Sequence, residues 1–241
     1  RDLHGSEHSF PTRRSSDLEE IGAKLLMVQR DFDFASMESV QWNYRFHPQS
    51  SDGQSRNRNS LPFPALRGAY QLSNAACALT VLECLNNQLP VDIGAIKRGL
   101  LLVENPGRFQ VLPGRPLVVL DVGHNPHAAR ALRRSLINLA FAQKRTAVFS
   151  MLSDKDIDGV LEIVKDQFDE WNIAPLDVPR GMMVEALQAK LAEHGIDNVN
   201  VFETVAAAYR AALAKATEND RIVVFGSFHT VADVMAVLKE H

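Results

Sequence analysis

Hydrophobic and polar positions in the second half of the chain alternate between two kinds of segment. Short apolar runs, typical of buried strands, are each followed by a longer segment with apolar residues at helical spacing. The pattern predicts strands at 117–122, 146–151, 171–176, 199–203 and 221–225, and helices at 126–139, 156–169, 184–194, 205–217 and 231–240. Repeated strand–helix units predict an α/β domain whose mostly parallel sheet carries helices on both faces.

The preceding region, 19–104, has a less regular pattern. It predicts short strands at 24–28 and 40–46, a polar loop at 48–60, an extended connector at 61–64, and helices at 75–85 and 91–101. These elements are too few for a complete α/β layer, so we interpret the region as the back part of a domain. The boundary is expected near residue 104, which leaves 105–241 as a C-terminal domain.

The first eighteen residues, 1–18, have neither helical nor strand periodicity. We interpret them as a foreign or artefactual segment and exclude them from the prediction of the fold.

Composition and charge narrow the class of protein. A chain of 241 residues with 46% hydrophobic residues can form a packed core, and a net charge of −3 gives no electrostatic case for nucleic acid or an anionic membrane. No apolar run approaches the ~20 residues of a membrane span. Cys77 and Cys84 fall in a helical pattern and are predicted to be reduced core residues, as expected in a cytoplasmic protein.

Candidate chemistry follows the predicted strands at their carboxyl ends, where open α/β sheets bind ligands. Pro126 suits the first turn of a helix, and a helix N-terminus favours an anion. The polar positions are Asp121, His124 and Asn125 after the first strand, Lys155 after the second, and Ser227, Phe228 and Thr230 after the last, with Arg108 in the turn before the first. Together they predict a site for a charged small molecule.

Each of these residues also has a simpler structural explanation. Asp121 could cap the helix that follows it, and Ser227 and Thr230 could be N-cap residues of the last helix. Lys155 lies between two aspartates and could belong to a solvated, self-compensated turn. Arg108 could be an ordinary surface residue.

Three kinds of chemistry are disfavoured. His124 and His127 have a spacing that suits a metal, but no cysteine or carboxylate completes a set, so no metal site is predicted. The strand–turn–helix segment holds one glycine rather than three, which argues against an ordinary NAD site. Ser227 lacks the Gly-x-Ser-x-Gly context of a nucleophile, because His229 stands where the second glycine would be.

The motifs, taken in order, closely resemble the folylpolyglutamate synthase/dihydrofolate synthase family, a bifunctional branch of the ATP-dependent Mur ligases. They are Pro106-Gly107-Arg108-Phe109-Gln110, Asp121-Val122-Gly123-His124-Asn125-Pro126-His127-Ala128, Asp154-Lys155-Asp156 and Gly226-Ser227-Phe228-His229-Thr230-Val231-Ala232. The segment from Gly68 into the helix that contains Asn74 resembles the family's central domain. The resemblance covers about 19–241. It implies a Rossmann-like C-terminal glutamate-ligase domain, preceded by part of the central ATPase domain.

The resemblance implies an ATP-dependent amide ligase that uses Mg²⁺. Such an enzyme activates dihydropteroate, or the terminal γ-carboxylate of a folate, as an acyl phosphate that the amine of L-glutamate then attacks. The implied partners are therefore small molecules, namely ATP, L-glutamate and dihydropteroate or folate, and the family resemblance suggests a monomer.

Site roles follow from the resemblance by position. It implies that Asn74 contacts adenine, that Arg108 reaches the ATP phosphates, and that Asp121 accepts hydrogen bonds from the ribose. It further implies that His124 lies against the ribose or α-phosphate, that Lys155 and Ser227 hold the incoming glutamate, and that Phe228 shapes its pocket. Arg108 and His124 are thus the candidate catalytic residues.

The chain also departs from the family. The family's phosphate loop, its carboxylate and histidine ligands for magnesium and its carbamylated lysine are absent, and no Gly-x-x-x-x-Gly-Lys-[Ser/Thr] segment occurs. We therefore expect a truncated ligase that does not turn over ATP by itself, with metal ligands mostly in the missing part. The alternatives are another Mur-type ligase that builds peptidoglycan precursors, and a non-catalytic nucleotide- or glutamate-binding module.

Overall fold

The computed structural model describes residues 20–37, 40–48, 55–68 and 70–240. The segment 1–18 therefore lies outside the described residues. The chain forms two compact units, of which the first comprises the described residues up to Phe63 together with Ser73–Leu100. The second comprises Pro64–Leu72 and the chain from Leu101 onward. The domain boundaries expected at residues 18 and 104, and the assignment of the two parts as ATPase and ligase domains, stay predictions.

The first unit is a three-stranded antiparallel sheet with two helices. Its strands β1 (Phe32–Met37), β2 (Gln41–Phe46) and β3 (Arg56–Pro62) pair in that order. The helices are α1 (Gln71–Cys84), whose first two residues belong to the second unit, and α2 (Ile93–Leu102). The core is made of apolar side chains from the sheet and the helices, among them Trp42, Tyr44, Leu61, Ala76, Leu79 and Ile96.

Two predictions in this unit are wrong. Residues 24–28 form no strand beyond an isolated bridge between Val28 and Phe32, and β1 begins at Phe32 instead. Part of the predicted polar loop and connector is β3, whose Arg56 and Arg58 form ion pairs with the buried Glu83 at 3.1 and 2.8 Å. Because these inward positions carry arginines, the apolar alternation that marks a half-buried strand is missing.

The predicted burial of the cysteines is also wrong. Cys77 and Cys84 are free and exposed. The buried positions of α1 include Ala76, Leu79 and Glu83, which follow helical spacing along a different face.

The second unit contains a six-stranded sheet in the order β4-β5-β9-β6-β7-β8. The strands are β4 (Gln110–Leu112), β5 (Leu117–Asp121), β6 (Arg145–Phe149), β7 (Glu170–Ile173), β8 (Val199–Val201) and β9 (Arg221–Phe225). All neighbours are parallel except β4, which pairs antiparallel with β5 at the edge. The five predicted strands and the mostly parallel α/β fold are confirmed, and the short edge strand β4 was not predicted.

Five helices cover the two faces of this sheet. They are α3 (Pro126–Ile137), α4 (Ile157–Val164) with a 3₁₀ turn at Lys165–Gln167, α5 (Val184–Glu193), α6 (Val205–Lys215) and α7 (Phe228–Leu238). Apolar residues of α3, α4 and α5 pack on the face that carries Phe149 and Phe225, whereas α6 and α7 pack on the face that carries Val148 and Val224. Across the described ranges, no helix has the length and apolarity to cross a membrane.

Candidate functional site

Most of the predicted site residues follow three strands that are neighbours in the sheet. Asp121 ends β5, Ser227 and Phe228 follow β9, and Lys155 follows β6. Because β9 lies between β5 and β6, the parallel strands bring their carboxyl ends to one edge. Asn74, by contrast, lies in α1 within the other compact unit.

Asp121 organises the loops around it through backbone hydrogen bonds. Asp121 is 5% exposed, and its carboxylate accepts hydrogen bonds from the amides of Phe109 at 3.0 Å and Gly123 at 2.7 Å. The amide of Val122 donates to the carbonyl of Gly107 at 2.7 Å. The turn before β4 is therefore held against the loop that follows β5.

Asp121 is not the cap of α3. The side chain of Asn125 accepts a hydrogen bond from the amide of Ala128 at 2.9 Å and is the N-cap, and Pro126 occupies the first turn as predicted. The capping explanation for Asp121 is thus wrong, and its buried carboxylate serves the loops instead.

Two glycines and one strained residue allow these loops to approach closely. Gly107 has φ +74°, and a Cβ there would lie 2.7 Å from Val122. A Cβ on Gly123 would lie 2.6 Å from the Asp121 carboxylate. Phe109 is buried and has φ +45°, a conformation that costs energy for a residue with a side chain and recurs at functional sites.

Burial governs the electrostatics of this region. It raises the pKa of Asp121 above the ordinary carboxyl value, although the two amide donors and the charge of Arg108 act in the opposite direction. Burial also raises the pKa of Tyr70 to about 12, with a further increase from the charge of Asp121 and a decrease from Arg108. Tyr70 is therefore a site neighbour that sequence reasoning missed, since no local pattern links it to β5.

Arg108, Phe228 and His124 form a surface group next to Asp121. The Arg108 guanidinium carbon lies 5.6 Å from the centre of the Phe228 ring, and the His124 and Phe228 ring centres are 6.1 Å apart. His124 Nδ1 is 3.0 Å from the carbonyl of Val122, which can only accept, so Nδ1 carries a proton and Nε2 is left for a ligand. Phe228 is 56% exposed, which leaves part of its ring available for contact.

A cavity of about 270 Å³ lies in the second unit beside Arg108. Its lining includes Arg67, Glu104, Phe109 and Gln110. The Gln110 side chain accepts a hydrogen bond from the amide of Gly107 at 3.0 Å, so the Gly-Arg-Phe-Gln motif shapes one wall of the cavity.

Lys155 belongs to an ion-pair group at the end of β6. Its Nζ is 3.2 Å from Asp154 Oδ2, which also receives Arg180 Nη1 at 3.0 Å. Asp156 caps α4 by accepting from the amide of Gly159 at 2.9 Å. The self-compensated turn is thus present in part. Arg180, which lies 25 positions farther along the chain than Lys155, was missed by sequence reasoning.

Ser227 caps α7, as its structural explanation predicted. It is 2% exposed, and its Oγ accepts from the amide of Thr230 at 2.9 Å. Thr230 Oγ1 donates to the carbonyl of Ser150 at 2.8 Å, so the 2.9 Å contact between the two hydroxyls uses the Ser227 proton. Ser227 therefore keeps one acceptor position and no proton to donate.

The predicted magnesium has no ligand set in the part of the chain that the structure describes. No group of three or more His, Cys, Asp or Glu side chains there could hold a metal ion. The described residues thus include cations and a buried carboxylate at this edge of the sheet, but no group that could hold a metal ion.

Comparison with known proteins gives a consistent result. The family model "Mur ligase, glutamate ligase domain" matches residues 107–228. Dihydrofolate synthase/folylpolyglutamate synthase of Escherichia coli strain K12 is 40% identical over 234 residues, which cover 96% of this chain and 50% of that protein. The chain spans about half the length of the curated relatives it matches in this way.

Solved structures agree with the sequence comparison. The structure of Escherichia coli FolC in complex with DHPP and ADP matches with a TM-score of 0.81 at 35% identity, covering 97% of this chain and 52% of that one. A bifunctional folylpolyglutamate synthase/dihydrofolate synthase with Mn, AMPPNP and L-glutamate bound matches with a TM-score of 0.79 at 39% identity and the same coverage of both chains.

Proposed function

Because the chain belongs to the Mur ligase family through its glutamate ligase domain, we propose that it serves the ATP-dependent addition of L-glutamate to dihydropteroate or to the γ-carboxylate of a folate. The observation that carries the proposal is the shared carboxyl edge of the sheet. Asp121 and His124 lie at the end of β5 with Arg108 beside Asp121, and Lys155 follows β6, which is separated from β5 only by β9. Relatives named for both reactions, with ADP or L-glutamate bound in solved structures, support this choice of substrates.

The reaction begins with transfer of the γ-phosphoryl group of ATP to a substrate carboxylate, which gives an acyl phosphate and ADP. Arg108 is exposed, and its guanidinium can form paired hydrogen bonds to phosphate oxygens. We assign it to the charge that develops during transfer, a role in which a positioned cation lowers the barrier. The guanidinium carbon of Arg108 lies over the Phe228 ring, 5.6 Å from its centre, and this cation–π contact helps to position the side chain.

The nucleotide is held by residues that the β5 loop positions. His124 offers Nε2 to a ribose hydroxyl or, when protonated, to the α-phosphate. Asp121 already accepts two amide hydrogen bonds, and its remaining lone pairs can accept from the ribose hydroxyls. Asn74 is proposed to contact the adenine.

The second step joins glutamate to the activated carboxyl group. The amine nitrogen of glutamate attacks the acyl carbon, loses a proton, and phosphate leaves with the pair of electrons of the broken C–O bond. Lys155 supplies a positive charge for a glutamate carboxylate. Ser227 has no proton to donate, so we assign it to accept an N–H of the glutamate amine, whose lone pair stays free for attack, and not to bind a carboxylate.

Calorimetric titration of the 241-residue chain with ADP, and separately with L-glutamate, tests this proposal. We expect both to bind, with Arg108→Ala lowering only ADP affinity and Lys155→Ala lowering only glutamate affinity, each by about tenfold. Lys165→Ala, which removes a comparably exposed lysine that pairs with Glu162, is the matched control and should change neither. The proposal would be refuted if neither ADP nor L-glutamate bound, or if Lys165→Ala lowered the affinities as much as Arg108→Ala and Lys155→Ala.

A non-catalytic binding module is the second candidate. It is favoured by the absence of a phosphate-loop motif in the sequence and of a metal-holding group in the described residues. Glutamate-dependent release of ADP, measured with the purified chain and dihydropteroate or folate, would exclude the non-catalytic module. We predict no release from this chain alone. In an active protein of the full length of the curated relatives, preference for dihydropteroate over a competing UDP-sugar peptide would exclude a peptidoglycan ligase.

A further inference from the structure

The loop that follows β7 is fixed against the loop that follows β6. The amide of Ser153 donates to the carbonyl of Arg180 at 2.9 Å, and its hydroxyl donates to the same oxygen at 3.3 Å. Leu152 and Gly181 form an antiparallel bridge beside these bonds. A Cβ on Gly181 would lie 2.0 Å from the carbonyl oxygen of Leu176, so only glycine fits there. The backbone of Arg180 is thereby held at the carboxyl edge of the sheet.

Two cations share a single carboxylate at this place. Asp154 Oδ2 receives Lys155 Nζ at 3.2 Å and Arg180 Nη1 at 3.0 Å. The hydrogen bond and charge of Lys155, together with the charge of Arg180, lower the pKa of Asp154. The three side chains carry a net charge of about +1, which one further carboxylate would balance.

Arg180 retains the capacity to bind that carboxylate. Its side chain is 65% exposed, and among the described residues it forms an ion pair with Asp154 through one nitrogen, Nη1. A guanidinium presents five N–H donors in a planar fork, so most of its donors are available to a ligand.

We propose that Arg180 binds one carboxylate of the incoming glutamate, next to Lys155. This inference rests on the proposed function, because it names a second residue of the same glutamate site. Glutamate brings two carboxylates and must leave its amine free to attack, so two separate cations match its charge pattern better than Lys155 alone. The fixed backbone of Arg180 limits the conformational freedom that binding would otherwise have to remove.

The test compares L-glutamate, L-glutamine and the α-amide of glutamate as ligands of the 241-residue chain by titration calorimetry. We expect Arg180→Ala to lower glutamate affinity about tenfold, and to leave ADP affinity unchanged. Arg180→Ala should not lower the affinity for the analogue that lacks the carboxylate bound by Arg180. That analogue is L-glutamine if Arg180 binds the γ-carboxylate, and the α-amide if it binds the α-carboxylate. Arg180→Lys should restore part of the affinity. Arg210→Ala, which removes an exposed arginine paired with Glu240 at 2.6 Å, is the matched control.

Asp154→Asn separates ligand binding from a purely structural role. If Arg180 binds the ligand, this substitution should preserve or increase glutamate affinity, because it releases both cations. If Arg180 only positions Asp154 and Lys155, Asp154→Asn and Arg180→Ala should cause the same loss with all three ligands, which overturns the inference. If Lys155→Ala weakens glutamate binding and Arg180→Ala does not, only this inference fails. If the wild-type chain does not bind glutamate, the proposed function fails with it.

Discussion

The two edges of the six-stranded sheet treat their charged residues in opposite ways. At the amino ends of the strands, Arg145 pairs with Asp169 at 2.6 Å and Lys144 pairs with Glu170 at 2.5 Å. Asp220, at the start of β9, accepts from the amides of Lys144 and Thr217 and from the Thr217 hydroxyl. The charges at this edge are used to hold strands together.

At the carboxyl edge, the charged side chains are less completely paired with opposite charges. Asp121 is buried against backbone amides, and its pKa is raised by burial. Hydrogen bonds from Thr217 and Arg145 instead lower the pKa values of Asp220 and Asp169. Arg108, Lys155 and Arg180 are at least partly exposed at the carboxyl edge. The charged residues of the amino edge thus stabilise the fold, whereas we propose that those of the carboxyl edge lower stability and are available to a charged ligand.

The largest expected effect comes from a glycine at the carboxyl edge. Gly226 has φ +112°, and a Cβ there would lie 2.4 Å from the carbonyl oxygen of Ser150. Because both the backbone conformation and the space exclude a side chain, Gly226→Ala should lower the free energy of unfolding by about 3–5 kcal/mol. Gly195→Ala, at φ +71° with open space around it, should cost only about 1–2 kcal/mol of backbone strain. Equal losses in denaturant unfolding would show that the close approach to Ser150 is unimportant.

At the amino edge, Asp220→Ala should be the next most damaging change. It leaves three donors from Thr217 and Lys144 without their acceptor, so we expect a loss of about 1–3 kcal/mol in the free energy of unfolding. ADP affinity should not change, because the substitution lies at the edge away from the candidate site. Asp197→Ala, an exposed carboxylate, is the control. A loss of ADP affinity equal to that of Arg108→Ala would break the division between the two edges.

The pH dependence of stability should have opposite signs at the two edges. The lowered pKa of Asp220 means that its stabilisation is present above the ordinary carboxyl pKa and is lost as pH falls through the lowered value. The raised pKa of Asp121 means that its contribution is most favourable below the ordinary pKa and is lost as pH rises through the raised value.

Unfolding measured between pH 6 and pH 3 checks this contrast. The stability advantage of the wild type over Asp220→Asn should shrink as pH falls, and its advantage over Asp121→Asn should grow. The same sign for both variants would contradict the assigned directions.

The smallest effect is expected at Phe228. Removal of its exposed ring takes away the contact with the Arg108 guanidinium, so Phe228→Ala should weaken ADP binding about threefold and change the free energy of unfolding by less than about 1 kcal/mol. Phe141→Ala is the control, since Phe141 is 93% exposed. An unchanged ADP affinity would show that the Phe228 ring does not support Arg108 in nucleotide binding.

The accuracy of the sequence predictions depends on whether an element is recognisable locally. The runs that became β5 and β9 are apolar on both faces, which is expected of strands buried in a parallel sheet, and both were predicted. The sequence of β3 is polar because Arg56 and Arg58 meet Glu83 of α1, a partner 25 or more positions away, and this strand was missed. Similarly, the helical pattern around Cys77 identified α1 but could not show which of its faces is buried.

The sequence by itself determined the mostly parallel α/β fold, and its motifs marked the loops that carry the candidate chemistry. Hydrophobic periodicity, Pro126 at a helix start and glycines at crowded turns are local signals that the chain itself records. Only the tertiary structure decided that β9 lies between β5 and β6, that Tyr70 lies near Asp121, and that Arg180 shares Asp154 with Lys155. Those neighbours depend on strand order and loop packing between distant segments, and local sequence patterns contain no record of either.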